Sequence, residues 1–302
     1  MAVYTAYDTV GIKEDISDVI VNISPRKTPF QDGIGSEKIT NKLFQWQEDS
    51  LRAVAANVIV EGADASFITV TPTVMRSNVT QILAEASQVS GTMDVVSTYG
   101  RAKESAYQMA KSAAQVKRDF ENALVGTAQT SITGSDGVAR QFTGFQPLCT
   151  AAGNVYMGAG NTLDEAHLLT ALQGLFTAGA EPDTISVTPA NSLNVAAFAK
   201  AAGRFRTISD QSGDAKKVVN AVDLYVSPFG TVMVKLNRFQ KSGNTLVFEA
   251  SMWNKATLRP WFRQVLAQTG DSVKQMLIGE FSLKHKNFAA SCVIVDNATT
   301  GF

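Results

Sequence analysis

The chain of 302 residues is long enough to bury a full core and to divide into two or three lobes. Lys plus Arg equals Asp plus Glu at 27 each, and 18% of residues are charged, against about 25% in an average protein. A formal charge of zero favours association, and the lack of a basic domain, polybasic tail or aromatic-interleaved basic stripe argues against nucleic-acid binding as the main task.

Residues 1–35 form no compact unit in the sequence pattern. Ile12, Ile16, Val19 and Ile20 follow Gly11 and predict one or two helical turns, after which Asn22, Ser24, Pro25, Pro29, Gly33 and Gly35 punctuate the chain. Two readings stand: a partly ordered terminus, or an arm that drapes over a neighbouring subunit and hides Ile16 and Val19 there. Residues 36–80 predict two extended stretches, about Lys38–Ser50 with Phe44 and Trp46 in alternation, and about Ser66–Val74, on either side of the turn cluster EGADAS. A long two-stranded ribbon with few large apolar residues is marginal alone in water and needs a partner surface.

The longest helical pattern runs from Thr92 to Gly126. Tyr99, Ala102, Ala106, Met109, Ala113, Val116, Phe120 and Ala123 recur at spacings of three and four, Thr92 is the expected N-cap and Gly126 the stop. Such a helix would be about 50 Å long at about 1.5 Å per residue. It suits a helix lying across a sheet in an ordinary domain, or a strut in an extended shell or fibre subunit. Lys117 and Glu121 are spaced for an i,i+4 pair, either on a solvated face or at an ion-pair site between subunits.

From about Thr150 the pattern alternates between α and β. Thr162 and Glu165 form a capping box that opens a helix stopped by Gly179. Then follow a strand at 184–189, a helix at 191–202, a polar loop after Phe205 and Arg206, and strands near 223–227, 231–236, 245–250 and 256–260. Two extended runs flank Thr269–Asp271 and close the chain, with a bend near Asn287. Having no sheet of their own, they are placed beside the long helix, so that residues 150–262 read as an inserted α/β lobe.

Catalytic chemistry finds little footing. His167 lies in an amphipathic helix and His285 between two lysines, neither in an H-E-x-x-H pair or a Cys/His cluster. Cys149 and Cys292 match no ligand or redox spacing and read as small buried side chains in a reducing compartment. G-x-S-x-G, Walker A and G-x-G-x-x-G patterns are missing, and no cofactor or metal is expected. No signal-peptide pattern and no run of 18 apolar residues occurs, so the expectation is a cytoplasmic product that does not span a membrane.

The order of elements resembles the major capsid proteins of tailed bacteriophages with the HK97-type fold, in the branch represented by the SU10-like major head protein. The likeness is carried by GIKEDISDVIVNISPRKTPF (11–30), FQWQEDSL (44–51), VEGADAS (60–66), RSNVTQILAEASQVSGTMDVVSTYG (76–100), AAQVKRDFENALVG (113–126), SPFGTVMVKLNRF (227–239) and residues 256–287, nearly the full chain. The resemblance implies an α+β subunit with an amino-terminal arm (1–35), an extended loop (36–80), a peripheral domain (81–149 with 263–302) carrying a spine helix at about 92–126, and an axial domain (150–262). It implies no enzyme but a structural protein whose copies form hexamers and pentamers of an icosahedral or prolate head around double-stranded DNA, assembled in the host cytoplasm. Scaffolding, portal and decoration proteins are the further partners, and DNA is contacted non-specifically at most. Nothing resembles a scaffolding-like prodomain, and Lys38 and Lys42 near the ribbon base carry no sign of covalent cross-linking chemistry. The inter-subunit contacts expected are Ile16, Val19, Phe44, Trp46, Phe205, Arg206, Lys117 and Glu121. An encapsulin-like shell, a tail-tube or neck component, and a hydrolase are the alternatives.

Overall fold

The computed structural model describes residues 24–65, 67–157, 163–201 and 224–296. In chain order the elements are α1 (Pro29–Gly33), β1 (Gly35–Lys38), β2 (Leu43–Glu48), β3 (Val74–Val79), β4 (Gln81–Ser90), α2 (Gly91–Val95), α3 (Glu104–Val125) and α4 (Phe145–Ala151). They continue as β5 (Val155–Met157), α5 (Glu165–Thr177), β6 (Thr184–Val187), α6 (Pro189–Ala201), β7 (Leu224–Ser227), β8 (Gly230–Leu236), β9 (Asn244–Phe248), β10 (Trp253–Val265), β11 (Ser272–His285) and β12 (Ser291–Val295). The fold is α+β.

Three sheets organise these elements: a four-stranded sheet in the order β1-β10-β11-β4, a six-stranded sheet in the order β5-β12-β9-β6-β8-β7, and the ribbon β2-β3. β10 and β11 are antiparallel and span 13 and 14 residues. The ladder shifts register around Arg259. Pro260 follows it, has no N–H to donate, and sits where β1 no longer pairs with β10. Gly279 of β11 permits a close approach, since a Cβ there would stand 2.5–2.6 Å from the Phe281 and Trp261 rings.

α3 lies against β4 and β11. Its sequence has no Gly or Pro and few β-branched residues, and Ser112, Val116, Phe120, Ala123 and Leu124 make the buried stripe. Phe120 meets Phe281 of β11 at 5.3 Å and Phe142 at 6.1 Å. The expected helix from Thr92 to Gly126 is divided. Ser90, not Thr92, caps the short α2 by accepting from the Met93 N–H, and Gly100 at φ +77° breaks the run. Asp94 of α2 then accepts the Ser105 N–H at the start of α3. With 22 residues α3 is about 33 Å long rather than about 50 Å, and Tyr99 is outside it and exposed.

Other boundaries differ for local reasons. Asp164 caps α5 through the His167 N–H, in place of Thr162, which lies outside the described residues. Pro189 opens α6, where its missing N–H costs nothing, rather than only ending β6. The stretch from 67 to 73 is not a strand: the ribbon pairs Leu43–Glu48 with Val74–Val79, and 49–65 and 67–73 carry no regular structure beyond a turn at Val60–Ala63. β-Rich composition cannot form a ladder without a partner edge or surface to bury against.

The C-terminal strands also divide differently. β11 lies beside α3 as expected, but β12 sits inside the six-stranded sheet between β5 and β9. β10 begins at Trp253 and belongs with β11, so the expected division at 262/263 falls within one strand. The bend at Asn287 is a single 3-10 turn over Phe288–Ala290, whose Ala289 N–H the Asn287 side chain accepts.

One core joins α1, α3, α4, the ribbon, β10 and β11, centred on Phe30, Phe120, Phe145, Trp253 and Phe281. A second lies between the six-stranded sheet and α5 and α6, with Leu168, Leu172, Ile185, Val247, Cys292 and Ile294 fully buried. Truncating Phe120→Ala is expected to lower the unfolding free energy of the chain by about 3–5 kcal/mol. Tyr99→Ala, on the same sequence stripe, is expected to change it by less than about 0.5 kcal/mol, both read from denaturant titrations.

Candidate assembly surfaces

The amino-terminal side of the described chain is tied down at one carboxylate. Glu121 of α3 is fully buried. Its two oxygens accept the Phe30 N–H at 2.8 Å and the Gln31 N–H at 2.9 Å, the free donors of the first turn of α1. Asn237, just beyond β8, donates to the same carboxylate at 2.7 Å. Burial pushes the Glu121 carboxyl above its ordinary value, with the three donors only partly offsetting it. Around it, Gln31 donates to the Lys117 carbonyl, and Lys117 pairs with Asp32 at 2.9 Å.

This arrangement corrects the expected Lys117–Glu121 pair. The two side chains serve the same small helix but do not meet: Lys117 is at the surface with Asp32, and Glu121 is inside. It also seats Thr28, Phe30 and Gln31, expected in a terminal arm, inside the body. Phe30 is enclosed by Phe145, Phe248 and Trp253 at 5.4–6.0 Å.

The root of the ribbon is similarly fixed. Phe44 and Trp46 stack on each other at 5.5 Å and are buried within the chain, which leaves little of either ring for a neighbour. Asn78 donates to the Leu283 and Thr143 carbonyls and accepts the Thr143 N–H. Arg76 pairs with Glu48 at 2.7 Å and lies over the Phe288 ring at 4.2 Å, while Glu48 accepts the Phe288 N–H. Ile16, Val19, Phe205 and Arg206 lie outside the described residues.

Beyond this root the chain leaves the body. Leu51, Val54, Val58, Ile59, Val60, Phe67, Ile68 and Val70 between Glu48 and Val74 are exposed, several of them almost completely. So many large apolar side chains on one excursion are out of proportion to a monomer's surface. They were legible in the sequence only as strand composition. Along the body, the outer edge of β4 and one face of α3 enclose a polar cleft of about 520 Å³ lined by Glu85, Gln88, Glu104, Gln108 and Lys111.

Neither histidine sits in a catalytic arrangement among the described residues. His167 contacts Asp164 at the start of α5, and His285 is buried in a ring stack. No group of three or more His, Cys, Asp or Glu fit to hold a metal occurs among the described residues, and none of their helices is long and apolar enough to cross a membrane.

The fold recurs in solved structures. It superposes on a chain of Mycobacterium phage Adephagia with a TM-score of 0.63 at 14% identity, covering 100% of both chains. It also superposes on the holo-SrpI encapsulin complex from Synechococcus elongatus PCC 7942 with a TM-score of 0.58 at 10% identity, covering 94% of each. In sequence the chain is 29% identical over 340 aligned positions to the major capsid protein of Escherichia phage Phieco32, covering 96% of both. The family model for the SU10 major capsid protein matches residues 3–298, and the chain belongs to that family. It is a structural major capsid protein of a phage head, and its place is the virion capsid.

Glu121→Ala removes the acceptor of three buried donors. It is expected to destabilise the chain by about 3–5 kcal/mol and to expose Phe30, read as a lowered Tm together with faster proteolysis N-terminal to β1.

Proposed function

We propose that copies of this chain assemble as hexamers and pentamers into an icosahedral or prolate head that encloses double-stranded DNA, with the chain acting structurally and not as an enzyme. The exposed apolar excursion between Glu48 and Val74 carries this reading. Its side chains gain the water-exclusion they lack only on another copy, at about 25 cal/mol per Å² covered. Many such contacts, each weak, allow a misplaced subunit to leave and still hold a closed shell together.

Within that reading residues 36–80 are the extended loop, rooted at β2 and β3, and α3 is the spine helix of a peripheral domain. That domain is best drawn as 81–149 with β10 and β11, and the axial domain as the six-stranded sheet with α5 and α6, including β12. The arm is proposed within residues 1–35, where Ile16 and Val19 lie outside the described residues. Phe205 and Arg206, outside the described residues, are the contacts proposed for the axial domain. Scaffolding, portal and decoration proteins are the further partners, DNA is met non-specifically, and assembly proceeds in the host cytoplasm. An encapsulin-like compartment shares the fold, and the family match favours the phage head over it. The structural positions of both histidines support the absence of catalysis.

The test replaces residues 49–73 with a two-residue Asn-Gly turn, which suits the antiparallel ends at Glu48 and Val74. The wild-type chain is expected to form closed shells or sheets of hexamers by electron microscopy. The shortened chain is expected to keep its Tm within a few degrees and to form neither. Shells of ordinary size from the shortened chain would overturn the reading.

A further inference from the structure

Five side chains from five parts of the chain stack into one column. Phe145 of α4 lies on Trp253 of β10 at 4.3 Å, Trp253 on His285 of β11 at 3.9 Å and 8°, and His285 on Phe288 at 5.3 Å and 17°. The Arg76 guanidinium of β3 closes the end, held by Glu48 of β2. The column therefore runs from the centre of the body to the root of the ribbon.

His285 is its one titratable ring. The Trp253 Nε1–H donates to Ser291 Oγ at 2.8 Å, and the Ser291 hydroxyl lies 3.1 Å from His285 Nε2. The hydroxyl meets Nε2 as donor or acceptor according to the tautomer, while Nδ1 is a buried atom without a partner. The doubly protonated ring would hold a buried Nδ1–H with no acceptor and set a cation in the stack near Arg76. The charged groups facing the column are Arg76 from β3 and Glu48 from β2. Phe145, Trp253, Phe288 and Ser291 bring no charge, while Lys284 is engaged by Glu37 and Lys286 by the Ser251 carbonyl.

We propose that the neutral ring of His285 is an acid-sensitive pin, whose protonation unseats Phe288 and frees β2 and β3 from the body while the six-stranded sheet stays folded. Phe288 is the link, because its ring carries Arg76 and its N–H is held by Glu48. Burial, aided by Arg76, takes the folded ring from 6.5 down to about 3. The pinned state is therefore fully favoured above about pH 6.5, and its advantage over the released state falls about tenfold per pH unit down to about pH 3.

Hydrogen exchange on the full chain, corrected for the intrinsic pH dependence of amide exchange, tests this. Between about pH 6.5 and about pH 4.5 the opening constant of 43–48 and 74–79 should rise about 50-fold, with α5 and β6 unchanged. His285→Phe keeps a ring without the titration and should abolish the rise, and His285→Gln, neutral with an acceptor retained, should do the same. Glu48→Gln should keep the rise, which separates the histidine from the neighbouring carboxylate. An equal rise in both His285 variants, or a wild-type rise shared by α5 and β6, would overturn the proposal.

Discussion

The buried carboxylate of Glu121 is the constraint on which the body of the subunit depends. A charge taken out of water must be met by donors, and here they come from a one-turn helix and from the end of a strand in another sheet. The helix is too short to hold its shape alone, and its first-turn N–H groups would otherwise be unsatisfied. Each side thus supplies what the other lacks. Once made, the contact seats Phe30 among Phe145, Phe248 and Trp253, and so joins α3, the entering chain and the six-stranded sheet around one core.

The same logic applied to residues 49–73 gives the opposite result. Their apolar side chains meet no surface of their own chain, so the ladder stops at Glu48 and Val74, where Trp46 and Phe44 still find the core. Structure within one chain ends where burial ends. The subunit is stable in its body and incomplete in its excursion, which suits a protein whose remaining contacts are supplied by copies of itself.

Much of this organisation is legible in the sequence. The later part of α3, α5, α6 and most strands of the six-stranded sheet follow from periodicity and turn residues, because each packs against a regular neighbour. What is not legible depends on contacts distant in sequence. Spacing pairs Lys117 with Glu121, but only the fold brings α1 to Glu121. Composition reads 66–74 as a strand, but a strand needs an edge. The stripe from Tyr99 to Phe120 looks continuous, yet Gly100 takes a left-handed backbone that periodicity does not register. His285 reads as a surface or packing residue between two lysines, and the fold decides for packing by turning it inward. Of the expected contact residues, Lys117 and Glu121 share a neighbourhood and Phe44 and Trp46 share a stack, but these pairs hold the subunit itself together.

The sheet connections carry a consequence for synthesis on the ribosome. β4 has a single strand neighbour, β11, and Ser90 pairs with Ser272 close to the end of the chain. β12, later still, is an interior strand of the six-stranded sheet. Neither sheet can close until β11 and β12 have emerged, and such long-range pairing is slow and late. A product that stops before β11 therefore completes neither sheet and leaves β4 without the strand it pairs with. The topology itself thus checks that synthesis has passed β12.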